Sequence, residues 1–392
     1  MSDAAPLLLI RDADVYAPAA LGRRDVLCAG GRIAWIGERL GTLPQALQVE
    51  EVDAGGARLV PGLIDGHVHV TGGGGEMGHA SRVPAPMLSR YTGAGVTTVI
   101  GLLGTDDTVR TAPQLLAQLH ALREEGISAW GHCGGYHLPP ATVTGSVRGD
   151  IALCEPIIGV GELAISDHRS SQPTLEELLR VAADAHVGGL MTGKAGIVHL
   201  HLGDGVRGLQ LVRDALDASE LPPRVFNPTH VNRRKALFEE AVELARRGCH
   251  VDITAFPVAE GEDAWPAAEA LRRYLASGAP PERVSISSDA GGCLPCFDAH
   301  GRVCSMDVGD AGLLLATLGE LVEGGMPLQE ALPAFTSNVA DLLRLPRKGR
   351  IAEGMDADLV LLDAEGRAQA VWCGGVAHVR DGAPVRRGMF ER

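Results

Sequence analysis

The chain is predicted to be α/β, a (β/α)8 TIM-like barrel with a small β domain built from its two ends. Three observations predict this. Strand-like apolar runs alternate with amphipathic stretches between residues 61 and 345. Eight such runs are present, which is the strand number of that barrel. Both ends, residues 1–60 and 346–392, read as short β segments without helical periodicity.

At the N-terminal end the β segments are Leu7–Ile10, Asp25–Cys28, Arg32–Ile36 and Leu47–Val52, with Gly30-Gly31 as a turn. The first barrel run, Leu59 to Ile64, leads into His67-Val68-His69 and then into Gly72-Gly73-Gly74-Gly75, expected to be too flexible to continue a strand. The later runs are Val96–Leu103, Ser128–His132, Ile157–Ile165, Gly196–Leu202, Val225–His230, His250–Thr254 and Val284–Ser288. Between them Pro113–Glu125, Leu175–Ala185 and Arg234–Arg247 repeat apolar residues at three- and four-residue steps. Thr174 before Leu175-Glu176-Glu177 reads as a helix N-cap with acids in the first turn. A doubly wound open sheet would call for a GxGxxG after its first strand, and none is present. Past Leu345, strands are expected at Leu359–Leu362, Gln369–Cys373 and Ala377–Arg380, closing the small domain against the N-terminal segments.

Composition bounds the function. With 392 residues and 45% hydrophobic content the chain can bury a large core. A formal net charge of −14 argues against nucleic acid or an anionic membrane as partner, since both select basic surfaces. No apolar run reaches the length of a membrane span. The opening Met-Ser-Asp-Ala-Ala-Pro lacks the basic start of a secretory signal, and eight scattered cysteines read as reduced thiols, so a cytoplasmic protein is expected. Cys293-Leu-Pro-Cys296 with Cys304 has no second CxxC to complete a four-cysteine zinc set and reads as loop thiols.

The chemistry is expected at the C-terminal ends of the barrel strands. In an extended strand residues two apart share a face, so His67 and His69 project together as a pair suited to a divalent transition metal. A bare His-x-His also occurs as solvated strand histidines, and the rest of the chain decides. Strand 4 adds Glu162, strand 5 His199 and His201, strand 6 His230, and strand 8 Asp289. Histidines and carboxylates gathered at strand ends are the donor set of a metal site.

His67 and His69 lie within PGLIDGHVHVTGGGGE, His230 within PTHVNR and Asp289 within ISSD, and the chain also carries VTTVIGLLGTD, ISDHRS, VDIT and GRIAEGMDADLVLLD. In those stretches the sequence resembles the amidohydrolase superfamily of metal-dependent hydrolases, and within it the isoaspartyl (β-aspartyl) dipeptidases, over nearly its whole length. The resemblance implies two zinc ions and a hydroxide bridging them. It implies His67 and His69 as ligands of the first metal, His201 and His230 of the second, and Asp289 as both ligand and proton acceptor. It further implies Glu76 for the substrate's α-amino group and Tyr136 for the scissile carbonyl. Arg169 and Arg233 would hold substrate carboxylates, and Thr105 and Gly74 would line the site. A dipeptide substrate and a homo-oligomer follow from the same resemblance.

Two residues depart from the family pattern. Its members characteristically carry a carboxylated lysine where Glu162 stands, so Glu162 is expected to bridge the metals with a native carboxylate. Its shorter reach implies that the strand sits closer, helped by small Gly161, or that the metals shift, or that only one metal binds tightly. Cys293 stands where the family has a substrate-contacting serine, and a thiol is the poorer donor. A sibling activity, on N-acyl amino acids or cyclic amides, is the alternative. Glu76 argues for the dipeptidase, because a cyclic amide offers no free α-amino group.

Overall fold

The computed structural model describes residues 7–297, 300 and 302–392; the side chains of Cys296 and Phe297 lie outside the description. Six strands form a parallel sheet in chain order: β1 (Leu63–Val68), β2 (Val96–Gly101), β3 (Ser128–Cys133), β4 (Ile157–Ile165), β5 (Ile197–Leu202) and β6 (Phe226–Thr229). The runs expected seventh and eighth, β7 (Val251–Thr254) and β8 (Val284–Ser287), form a separate parallel pair. Among the described residues the eight strands therefore do not make one continuous ladder. Side chains and single backbone hydrogen bonds span both gaps instead. Asp252 on β7 accepts from Thr229 of β6 at 2.7 Å and from Ser285 of β8 at 2.6 Å. Asp65 on β1 accepts from the hydroxyl and the backbone N–H of Ser288, and His69 donates its backbone N–H to Ala290 at 2.9 Å. Buried carboxylates make such links because each oxygen needs donors once water is excluded.

A helix follows each strand, and the strands are buried almost throughout, as a parallel sheet covered on its faces requires. Thr174 caps the helix Leu175–Thr192 with a reciprocal capping box to Glu177, as its sequence predicts. That helix runs seven residues past its expected end at Ala185. The small residues Gly188 and Gly189 let it lie against the start of β5, and a Cβ at Gly189 would stand 2.6 Å from the Gly196 Cα.

The terminal segments meet in one nine-stranded sheet. Leu359–Leu362 pairs with Arg58–Pro61 and with Ala368–Cys373, and Leu7–Tyr16 pairs with Ala20–Ala29, Val49–Asp53 and Arg58–Pro61. Its core gathers Leu8, Ile10, Val26, Ile33, Leu59, Leu359 and Trp372. Cys293 corrects the loop reading of its segment. Cys293–Phe297 is a strand, paired antiparallel with Val303–Val308 in a hairpin beyond β8. No helix among the described residues is long and apolar enough to cross a membrane.

Candidate metal and substrate site

Where the strands end, their inward side chains converge. His67 ends β1 and His69 follows it, Glu162 lies within β4, and His199 and His201 share the inward face of β5. His230 and Asp289 come just after β6 and β8, both in the left-handed region, at φ 60 and 54. That region costs a non-glycine residue about 1–3 kcal/mol, and such strain persists where the surroundings fix the conformation. Gly161 permits the close approach that Glu162 requires, since a Cβ there would stand 2.5 Å from the carbonyl oxygen of His199 on the neighbouring strand.

All of these groups are buried. The Oε1 of Glu162 faces Nε2 of His69 at 3.3 Å and Nε2 of His67 at 3.6 Å. Its Oε2 lies 2.9 Å from Nδ1 of His201 and 3.3 Å from Nε2 of His230. Asp289 Oδ1 is 3.1 Å from Nε2 of His69 and 3.5 Å from Nε2 of His67. Two triads emerge, His67 with Glu162 and His230, and His67 with His69 and Asp289, each with donor atoms within 4.8 Å of one another. His201 stands beside them and belongs to neither. Asp167 holds its Nε2 at 2.9 Å, which leaves Nδ1 as the atom turned to Glu162.

Electrostatics favour a cation here. Burial alone would push the Glu162 carboxyl up, yet the imidazoles of His67 and His201 hold it well below the usual range. Asp289 is likewise held down to about 2 against burial, by His69 and His67. Burial would lower His69, but Asp289 and Glu162 raise it to about 10. Among the described residues, His67 Nε2 and Asp289 Oδ1 are buried without a hydrogen-bond partner. Nitrogen and carboxylate donors crowded in this way, two of them orphaned, fit a divalent metal that would take the place of the imidazole protons.

The metal-facing groups open into a cleft that also collects the expected substrate residues. It is lined by His69, Glu162, His201 and Asp289 on one side, and by Gly74, Glu76, Thr105, Tyr136, Arg169, Arg233 and Cys293 on the other. His67 and His230 stand behind them. Glu76 Oε1 accepts from Thr105 at 2.9 Å and from Arg169 at 3.3 Å, and the Cys293 thiol lies 3.1 Å from both of its oxygens. Burial and the Glu76 charge push that thiol far up, so it stands as a neutral donor. The Tyr136 hydroxyl is 2.9 Å from Nδ1 of His201, and burial keeps it protonated. The loop carrying Glu76 does not continue the strand, as expected from its glycines, with Gly72, Gly74 and Gly75 at positive φ. A Cβ at Gly72 would stand 2.0 Å from the Val83 carbonyl oxygen and one at Gly74 2.6 Å from that of Ser81, so the glycines serve close packing.

The sequence model of the amidohydrolase family matches residues 58–379. The chain belongs to the amidohydrolase family. It is 41% identical to the β-aspartyl dipeptidase of Fervidobacterium islandicum AW-1, solved in complex with β-Asp-Leu dipeptide. That match has a TM-score of 0.90 and covers 96% of this chain and 98% of that one. A deacetylase of Agrobacterium fabrum is 25% identical over 92% of this chain and 83% of its own. A dihydroorotase of Halobacterium salinarum is 26% identical over 87% and 86%. A dihydropyrimidinase from Brevibacillus agri, 18% identical with a TM-score of 0.68 over 98% of this chain and all of its own, shares the fold.

Sequence reasoning left Asp167 without a role, although it stands two residues before Arg169 in Ser-Asp-His-Arg-Ser. It receives Arg169 Nη2 at 2.8 Å as well as His201, tying the cleft arginine to the histidine beside Glu162. Its position directly after β4 was the available signal. Thr254, whose hydroxyl lies 2.7 Å from Nδ1 of His230, gave no such signal.

Proposed function

We propose that this amidohydrolase is a metal-dependent dipeptidase that cleaves the isopeptide bond of β-aspartyl dipeptides. The observation that carries the reading is Glu76. It is a carboxylate braced by Thr105, Arg169 and Cys293, on the same cleft as the metal donors. A substrate with one ammonium and two carboxylates, as a β-aspartyl dipeptide has, complements one acid and the two arginines Arg169 and Arg233. The similarity to the F. islandicum enzyme supports the same choice.

In this reading residues 61–345 form the catalytic unit, its eight strands closed into a barrel across the Asp252 and Asp65 links, and residues 1–60 with 346–392 form the small β unit. His67, His69, Glu162, His201, His230 and Asp289 would hold a zinc centre, for which two ions are expected. Bound there, the metals supply a water nucleophile of lowered pKa and polarise the scissile carbonyl. Glu76 receives the α-ammonium group, and Arg169 and Arg233 fix the carboxylates. Tyr136, kept protonated by burial, donates its O–H to the carbonyl oxygen as charge grows there. Asp289, ionised and turned toward the same space, accepts the proton of the attacking water on Oδ1 and returns it to the departing amine.

The test is hydrolysis of β-Asp-Leu by zinc-replete protein beside α-Asp-Leu and an N-acetyl amino acid. Cleavage confined largely to β-Asp-Leu supports the assignment. Equal cleavage of the α-isomer, or preference for the N-acetyl compound, replaces it with another amidohydrolase activity.

A further inference from the structure

Behind His67 runs a hydrogen-bonded chain of buried groups that none of the roles above uses. Asn227 donates its Nδ2–H to the backbone carbonyl of His250 at 2.8 Å. Its Oδ1 is 2.7 Å from Nδ1 of His199, and Nε2 of His199 is 2.8 Å from Nδ1 of His67. The four residues come from β6, the start of β7, β5 and β1, and each is 2% exposed or less.

The direction of every bond in it is determined. A carbonyl oxygen only accepts, so the amide nitrogen of Asn227 must face His250 and its oxygen must face His199. Nδ1 of His199 is therefore an N–H. In a neutral imidazole one nitrogen donates and the other accepts, so Nε2 of His199 carries the lone pair and accepts from Nδ1–H of His67, 2.8 Å away. The nitrogen left on His67 is Nε2, the orphaned atom directed at Glu162 and Asp289 from 3.6 and 3.5 Å. A flipped His199 tautomer would set N–H against N–H at His67 and oppose its own lone pair to the Asn227 oxygen.

We propose that Asn227 and His199 are positioning residues that fix His67 in the tautomer whose Nε2 binds metal. The inference rests on the reading of the His67, His69, Glu162 and Asp289 cluster as a metal site. Groups that orient a metal-binding imidazole change metal affinity by about 10–100-fold when removed. His132 supplies a control, since its ring stacks on His199 at 5.5 Å between centroids and neither of its nitrogens has a partner. It packs against the chain without directing it.

The experiment uses the full-length protein stripped with a chelator and titrated with zinc, with histidines labelled with nitrogen-15. In the zinc-loaded wild type, long-range proton–nitrogen spectra are expected to place hydrogen on Nδ1 of both His67 and His199, with zinc on Nε2 of His67. Asn227→Leu and His199→Phe are expected to weaken zinc binding about 10–100-fold in chelator competition. His132→Phe, which keeps the packing, is expected to change it less than about threefold. A wild type that binds no zinc overturns the metal reading itself. A wild type that binds zinc through Nδ1 of His67, or carries the His199 hydrogen on Nε2, overturns this inference alone. So do folded Asn227→Leu and His199→Phe proteins that bind zinc as the wild type does. Should those variants not fold, the wild-type spectrum decides.

Discussion

Glu162 holds Oε2 2.9 Å from Nδ1 of His201, and its other oxygen faces His69 at 3.3 Å. One carboxylate thus addresses both halves of the donor cluster, which is the arrangement a bridging ligand needs. Glu162→Gln removes the negative charge that would offset two dications while keeping the shape. Metal content per chain, measured by elemental analysis after gel filtration, is expected to fall from about two to one or fewer in this variant. Because the carboxylate is native to the side chain, wild-type activity is expected to be the same with and without added bicarbonate.

Asp289 is buried, ionised and within 3.5 Å of both histidines of the first strand. Asp289→Asn is expected to lower kcat by about 10²–10⁴-fold, the range of a lost general base. KM is expected to change little, since the substitution leaves Glu76, Arg169 and Arg233, the proposed substrate-binding groups, in place. A fall in kcat of less than tenfold assigns the proton to another group.

Glu76→Gln keeps the bond from Thr105 and loses the charge that pairs with an ammonium. A charge-assisted hydrogen bond contributes about 1.5–3 kcal/mol, so kcat/KM for β-Asp-Leu should fall about 10–100-fold. A substrate lacking the α-amino group should lose far less between wild type and variant. Equal losses on both substrates would place Glu76 in a structural role.

The site was legible in the sequence because strand periodicity is strict. His67 and His69, or His199 and His201, must share a face whatever surrounds them. Strand ends then place Glu162, His230 and Asp289 beside them. Less legible was everything set by packing between distant segments. The pairing of Asp167 with His201 joins two strands through side chains, and no spacing encodes it. Asn227 reads as one polar residue in an apolar run, and only its neighbours on β5 and β7 give it a direction. The hairpin at Cys293 looked like a loop because Pro295 interrupts it. A proline is tolerated in a two-stranded ribbon, where an edge can face outward. The glycines before Glu76 show the same limit, since sequence alone does not reveal that Gly72 and Gly74 combine a positive φ with close approach to another segment's backbone.

Lys348 joins the terminal sheet to the parallel sheet. Its Nζ reaches Ser128 Oγ at the start of β3 at 2.6 Å, Asp356 at 3.0 Å, and Asp358, which directly precedes the strand Leu359–Leu362. The side chain is 6% exposed, so solvent screens these contacts weakly. Burial by itself would lower the ammonium's pKa, and Asp358 and Asp356 more than offset it, raising it above the ordinary 10.5. A group raised on folding binds its proton more tightly in the folded chain. Its contribution to stability is therefore complete below about pH 10.5 and is lost as pH rises through the folded value. Lys348→Met leaves the two carboxylates short of their buried partner, a loss of about 3–5 kcal/mol for pairs of this kind. Urea unfolding of wild type and variant, compared between about pH 8 and pH 11, isolates the lysine from other titrating groups. The difference in stability is expected to be largest at the lower pH and to shrink above the ordinary lysine value. A difference that stays constant across that range would mean that the loss comes from packing around the aliphatic stem rather than from the charge.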